Sequence, residues 1–100
     1  HGGKADDFAR LYLVPGMNHC SGGPATDQFD MLAPLVAWVE QGKAPDSVTA
    51  KVRGAGANVV NTELPASWSA NRSRPLCAYP KVARYNGSGD IESASSFSCK

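Results

Sequence analysis

Leu11-Tyr12-Leu13-Val14 is a short continuous apolar run that Pro15-Gly16 stops abruptly. A run of this length between turn residues predicts a strand buried on both faces of a parallel sheet; a buried helix is the alternative, which the shortness of the run disfavours. Met17 to Thr26 carries Ser21-Gly22-Gly23-Pro24 and reads as a loop, with His19 and Cys20 in its first half. From Asp27 to Gln41 the period changes. Phe29, Leu32, Val36 and Val39 recur at helical spacing and predict an amphipathic helix with a buried stripe. Thr26 or Asp27 is the expected cap, and Asp27 and Asp30 place negative charge at the helix start, where the dipole favours it. Gly42 and Pro45 then end the helix. Pro34 conflicts with an unbroken helix, because an interior proline removes a backbone hydrogen bond and costs roughly 3 kcal/mol. A kink is expected there, or a break with Pro34 starting a second helical piece.

The second half alternates weakly. Ser47 to Arg53, with Val48 and Val52, predicts a short edge strand. Gly54 to Ala70 predicts an irregular loop. Pro75 and Pro80 frame an extended stretch, Val82 to Tyr85 a further short strand, and Asn86 to Asp90 a turn. One helical turn is expected near Ser93–Ser96. Large apolar residues are sparse here, so this half is expected to wrap the surface of a larger body rather than form its own core. Trp38 reads as packing, Trp68 as facing solvent or a neighbouring domain, and Arg72, Arg74 and Arg84 as structural or solvated.

Composition narrows the classes. The 100 residues are 42% hydrophobic with a formal net charge of +1. That suits a globular protein and lacks the basic balance of a nucleic-acid binder. No apolar run approaches the roughly 20 residues that span a bilayer. The opening His1-Gly2-Gly3, without methionine, predicts a piece of something longer. Three cysteines, Cys20, Cys77 and Cys99, leave one thiol in need of a partner. With two histidines and no Cys-x-x-Cys pair, the spacing offers no zinc site. Asp27 and Asp30 could be imagined as a carboxylate pair or a metal site, but helix capping explains them more simply. No cofactor is expected in this segment.

The chemistry gathers at His19. A strand followed by a tight turn places it at the strand's carboxyl end, where catalytic groups of open α/β sheets collect. Imidazole can accept and return a proton near neutrality. By position alone His19 is either the last member of a Ser…Asp…His triad or an ordinary surface histidine. Cys20 directly after it is unusual, and is otherwise a buried free thiol.

The run Arg10 to Cys20, then Ser21-Gly22-Gly23-Pro24, then Phe29-Asp30-Met31-Leu32, Leu35-Val36 and Trp38-Val39-Glu40, resembles the tannase and feruloyl esterase family. Arg74 to Pro80, Val82 to Asp90 and Phe97-Ser98-Cys99 resemble its C-terminal signature. The resemblance spans nearly the whole chain, with Gly54 to Ala70 unhelpful. It implies an α/β class: the C-terminal segment of an α/β-hydrolase fold. Residues 1–100 would supply the last sheet strand, the catalytic-histidine loop, a helix and a disulfide-stapled irregular tail, with lid and nucleophile regions absent. It implies a serine carboxylic-ester hydrolase acting on esters of aromatic acids (feruloyl, galloyl, chlorogenic or terephthalate-type).

His19 matches the family's triad histidine. Cys20 matches a cysteine bridged to one directly before the nucleophilic serine, outside this chain, and Cys77 and Cys99 match a local pair. Glycine at the position of Asn18 and proline at that of Ala78 are common in relatives; these departures bear on the substrate branch. The expected partners are the remainder of the same enzyme and a small aromatic ester, with no nucleic acid and no membrane. Bridged cysteines imply an oxidising location, secreted or periplasmic. No serine precedes His19, as the triad order of this fold requires, so these residues alone are expected to be inactive. The competing expectation is a small secreted binding module without catalytic activity, stapled by Cys77 and Cys99, with Cys20 free or dimerising.

Overall fold

The computed structural model describes residues 2–100; His1 lies outside them. The chain is mixed α and β. A 3-10 turn at Ala5–Asp7 leads into the apolar run, then come helix α1 (Leu32–Gln41) and strands β1 (Ser47–Lys51), β2 (Ser73–Cys77) and β3 (Ala83–Tyr85). A second 3-10 turn at Ala94–Ser96 feeds strand β4 (Phe97–Cys99).

The strands form two antiparallel pairs. β1 pairs with β2 from Ser47↔Cys77 to Lys51↔Ser73, and β3 with β4 from Ala83↔Cys99 to Tyr85↔Phe97. Pro75 sits within β2 opposite Thr49. A two-stranded ribbon is all edge, so the missing N–H of Pro75 can face away from the ladder. Along β1 every second residue is buried, and Val48, Ala50 and then Val52 face inward beside Leu76 and Cys77 of β2. Ala50 is fully covered, Leu76 is 2% exposed, and Ala25 from the preceding loop completes the small core. Expected as a wrap without a core of its own, the second half is thus where most of the core sits. The strict alternation in β1 achieves this with small residues rather than large ones.

Three further ties close this half. Cys77 and Cys99 are bridged, with Cα atoms 5.6 Å apart and a sequence separation of 22. Arg72 donates to both carboxylate oxygens of Glu92 at 2.6 and 2.9 Å while its guanidinium lies 4.1 Å over the ring of Trp68. Arg74 stacks on Phe97 at 4.2 Å.

The helix departs from its sequence pattern in two ways. It begins at Leu32, five residues later than expected, because Asp30 rather than Asp27 caps it. Asp30 Oδ1 accepts the backbone N–H groups of Leu32 and Ala33 at 2.9 and 3.3 Å. Pro34 then falls in the first turn, where its missing N–H is one the helix could not use, and the expected interior kink does not arise. Gly42, at φ 68°, ends α1 as expected, with its N–H on the Trp38 carbonyl and the Lys43 N–H on that of Ala37. The second departure is burial. The stripe is not covered: Leu32 is 69% and Val39 78% exposed, and no residue of α1 is buried.

Leu11–Val14, expected as a parallel-sheet strand, forms no regular ladder. It makes a single antiparallel bridge, Tyr12↔Ala78, and Tyr79 donates its N–H to the Leu11 carbonyl at 2.8 Å. Leu11 and Leu13 remain exposed. A parallel strand needs a ladder of neighbours, and this segment instead meets the chain just beyond β2 on its backbone and Pro45 through the Tyr12 hydroxyl, which donates to the Pro45 carbonyl.

Candidate active site

Immediately after the apolar run the chain makes a narrow loop. Met17 donates its N–H to the Val14 carbonyl at 3.3 Å, turning the chain through Pro15-Gly16. Asn18 donates to the Gly22 carbonyl at 3.2 Å, which closes the base of a loop whose tip is His19, Cys20 and Ser21. All three tip residues are exposed. The two limbs approach so closely that a Cβ on Gly23 would stand 2.2 Å from the Gly16 carbonyl oxygen, and Gly23 has φ 76°. Only glycine meets both demands.

Within the tip, Cys20 is the one non-glycine residue with positive φ, at 69°, among the described residues. Its thiol is free and exposed rather than buried as a small hydrophobe, and its Sγ lies 3.0 Å from His19 Nδ1. The structure therefore brings His19 and Cys20 together, whereas the Cys77–Cys99 bridge belongs to the paired strands of the second half.

Four polar side chains hold the loop from behind. Asp27, expected as a helix cap, instead turns back toward it. Its side chain is fully covered, and its Oδ2 accepts the Gly22 N–H at 2.8 Å. Arg53 Nε reaches both carboxylate oxygens of Asp27 at 3.1 Å and Nη2 reaches Oδ2 at 2.6 Å. The hydrogen-bonded Arg53 guanidinium holds the Asp27 carboxyl below the usual carboxylate range, outweighing the upward push of burial, and the Gly22 N–H adds to the lowering. Arg53 is itself fixed by donating Nη1–H to the Val59 carbonyl at 3.0 Å. Asn61, also buried, donates its amide to the Gly23 carbonyl at 2.8 Å and accepts the Glu63 N–H at 3.0 Å. Glu63 accepts from the Asn18 amide at 3.2 and 3.3 Å and from the Gly23 N–H at 3.2 Å.

Sequence reading missed this set. Arg53, Asn61 and Glu63 flank or lie in the glycine-rich stretch that reads as an irregular loop, and Asp27 was explained by a helix start. Their only sequence signal is hydrogen-bonding side chains in a stretch with no periodicity. Among the described residues no group of three or more His, Cys, Asp or Glu side chains is arranged to hold a metal ion. Asp27 is committed to Arg53 and Asp30 to the helix, so the imagined carboxylate pair does not form.

An exposed imidazole on a braced loop is accessible to a bound molecule and is of a chemical type that can serve as an acid–base group. Known proteins carry the same arrangement of sequence. The model of the family described as tannase and feruloyl esterase matches residues 1–100, and the chain belongs to that family of ester hydrolases. It is 58% identical over 95 residues to a mono(2-hydroxyethyl) terephthalate hydrolase of Piscinibacter sakaiensis, a match covering 95% of this chain and 14% of that protein. It is 40% identical over 101 residues to a probable feruloyl esterase of Arthroderma benhamiae, covering 98% of this chain and 17% of the other. The crystal structure of an esterase from Aspergillus oryzae superposes with a TM-score of 0.72 at 27% identity, over 97% of this chain and 20% of that one. The chain thus spans less than a fifth of the length of these two curated relatives.

Proposed function

We propose that this chain is the C-terminal part of an α/β-hydrolase catalytic domain, and that His19 is the general base of a serine carboxylic-ester hydrolase acting on esters of aromatic acids. The observation that carries the reading is the braced loop: His19 stands at its tip, directly after the apolar run, in a chain whose family consists of ester hydrolases. The nucleophilic serine and the orienting aspartate lie in the remainder of the enzyme. The serine attacks the ester carbonyl as His19 takes its proton; His19 then protonates the departing alcohol, and later activates the water that releases the acid. The 58% identity to a terephthalate-ester hydrolase supports an aromatic acyl group in the ester.

Cys20 has a second task in this reading. As a free thiol it occupies His19 Nδ1. That nitrogen is the one a triad aspartate must reach. A bridge from Cys20 to a cysteine beside the serine would draw the sulfur away and tie the histidine loop to the nucleophile. The Cys77–Cys99 bridge supports a secreted or periplasmic setting.

The test is His19→Ala in the whole enzyme, assayed on mono(2-hydroxyethyl) terephthalate and methyl ferulate. Loss of turnover by a factor on the order of 10⁴ or more, with unchanged thermal unfolding, is the expected result. Wild-type turnover in this variant would remove His19 from the mechanism.

A further inference from the structure

We infer that Glu63 is a positioning residue for His19, acting through the two limbs of the histidine loop; this rests on His19 being the general base. Among the described residues Glu63 is the one side chain bound to both limbs. Its carboxylate accepts from the Asn18 side chain, immediately before His19, and from the Gly23 backbone, immediately after the closing Gly22. The tip is thereby pinned at both ends by a single rigid group. The clamp has its own support, since Asn61 accepts the Glu63 N–H and grips the Gly23 carbonyl.

The buried pair Asp27–Arg53 also touches the loop, but its side chains are covered and built into the core edge, so removing either confounds position with folding. Glu63 is exposed. Of the two donors it serves, the Asn18 amide is exposed, and only the N–H of the buried Gly23 is left without its acceptor when Glu63 is removed. What changes is the freedom of the loop to shift His19.

Proton transfer depends on where the imidazole sits to within a fraction of an ångström, whereas ground-state binding of the ester does not. Glu63→Ala in the whole enzyme should therefore lower kcat on the order of tenfold to a hundredfold, with KM changed by less than about twofold and the thermal midpoint lowered by no more than about 4 °C, the share of the Gly23 N–H. Glu63→Gln keeps an oxygen for the Gly23 N–H and the Asn18 amide, and should restore kcat to within about threefold of wild type. A Glu63→Ala enzyme with unaltered kcat would overturn the inference. So would a kcat loss matched by a fall in the folded fraction, or a Glu63→Gln enzyme as slow as Glu63→Ala. His19→Ala run alongside separates the two levels: if it is inactive while Glu63→Ala is normal, the positioning role fails and the general base stands. If His19→Ala is active, both fall.

Discussion

Residues 8–41 and residues 47–99 solve the burial problem in opposite ways. The first stretch has the larger apolar side chains and leaves them uncovered: Phe8, Leu11, Leu13, Leu32, Leu35 and Val39 all face outward. The second leaves Val59, Val82 and Ile91 exposed, yet folds Val48, Ala50, Val52 and Leu76 against each other, staples the ends and adds an ion pair. An exposed leucine or valine forgoes roughly 1.5–3 kcal/mol of burial energy. A sequence with an ordered amphipathic period would not leave several such side chains idle in its working form. On the proposed reading, the first stretch is patterned for a surface contributed by the rest of the enzyme, while the second supplies its own.

The sharpest way to break this contrast is to put a charge on each side of it. Val39 is exposed in these residues and Val48 is buried. If the α1 stripe packs on the remainder of the enzyme, Val39→Asp in the whole protein should be as damaging as Val48→Asp, each costing about 4 kcal/mol through an unpaired buried charge. Urea unfolding of both variants reads this directly. A Val39→Asp enzyme within about 0.5 kcal/mol of wild type would mean that the stripe faces water and that the two stretches differ in nothing but exposure.

The second test sharpens the other side. The Cys77–Cys99 bridge closes a loop of 22 residues around β3 and β4. Replacing both cysteines with serine should lower stability by roughly 3 kcal/mol in the chain-entropy model. The loss should show first as proteolytic cleavage near Asn86–Asp90, with α1 and the histidine loop still protected. Simultaneous loss of protection in both stretches would show that the tail is not a self-supporting unit.

What could be read in advance follows the same division. The edge strand at β1, the strand at β3, the turn near Ser93–Ser96 and the end of α1 at Gly42 were all legible, because period and punctuation are local properties. The family was legible because linked motifs stand in order along the chain, and the same motifs are what single out His19 as a candidate. The start of α1 was misplaced because two aspartates compete for one cap, and only three-dimensional pairing with Arg53 removes Asp27 from the contest. The strand at Leu11–Val14 was read from burial that these residues alone do not provide. The brace behind His19 was invisible for a different reason. Its members are separated by up to 45 residues, and hydrogen bonds between loops leave no periodic trace.

The smallest effect lies in acid. Glu92 donates nothing to the core, but its carboxyl is held below the usual range, chiefly by the hydrogen bond from Arg72 and further by the Ser69 N–H. A carboxyl depressed in the folded state binds its proton later than it does in the unfolded chain. As pH falls through the usual carboxylate range, near 4, the unfolded chain therefore takes up more protons. The stability Glu92 contributes is fully present above that range and is lost on acidification. Glu92→Gln should accordingly lower the thermal midpoint slightly at pH 7 and leave it nearly equal to wild type near pH 3, converging as the pH drops. Asp27 follows the same sign through Arg53, so wild type should retain a second acid-sensitive component that Glu92→Gln does not remove. Melting curves of the two proteins between pH 7 and pH 3 test this, and a gap that widens toward low pH would show that Arg72 and Glu92 stabilise the tail by something other than their charges.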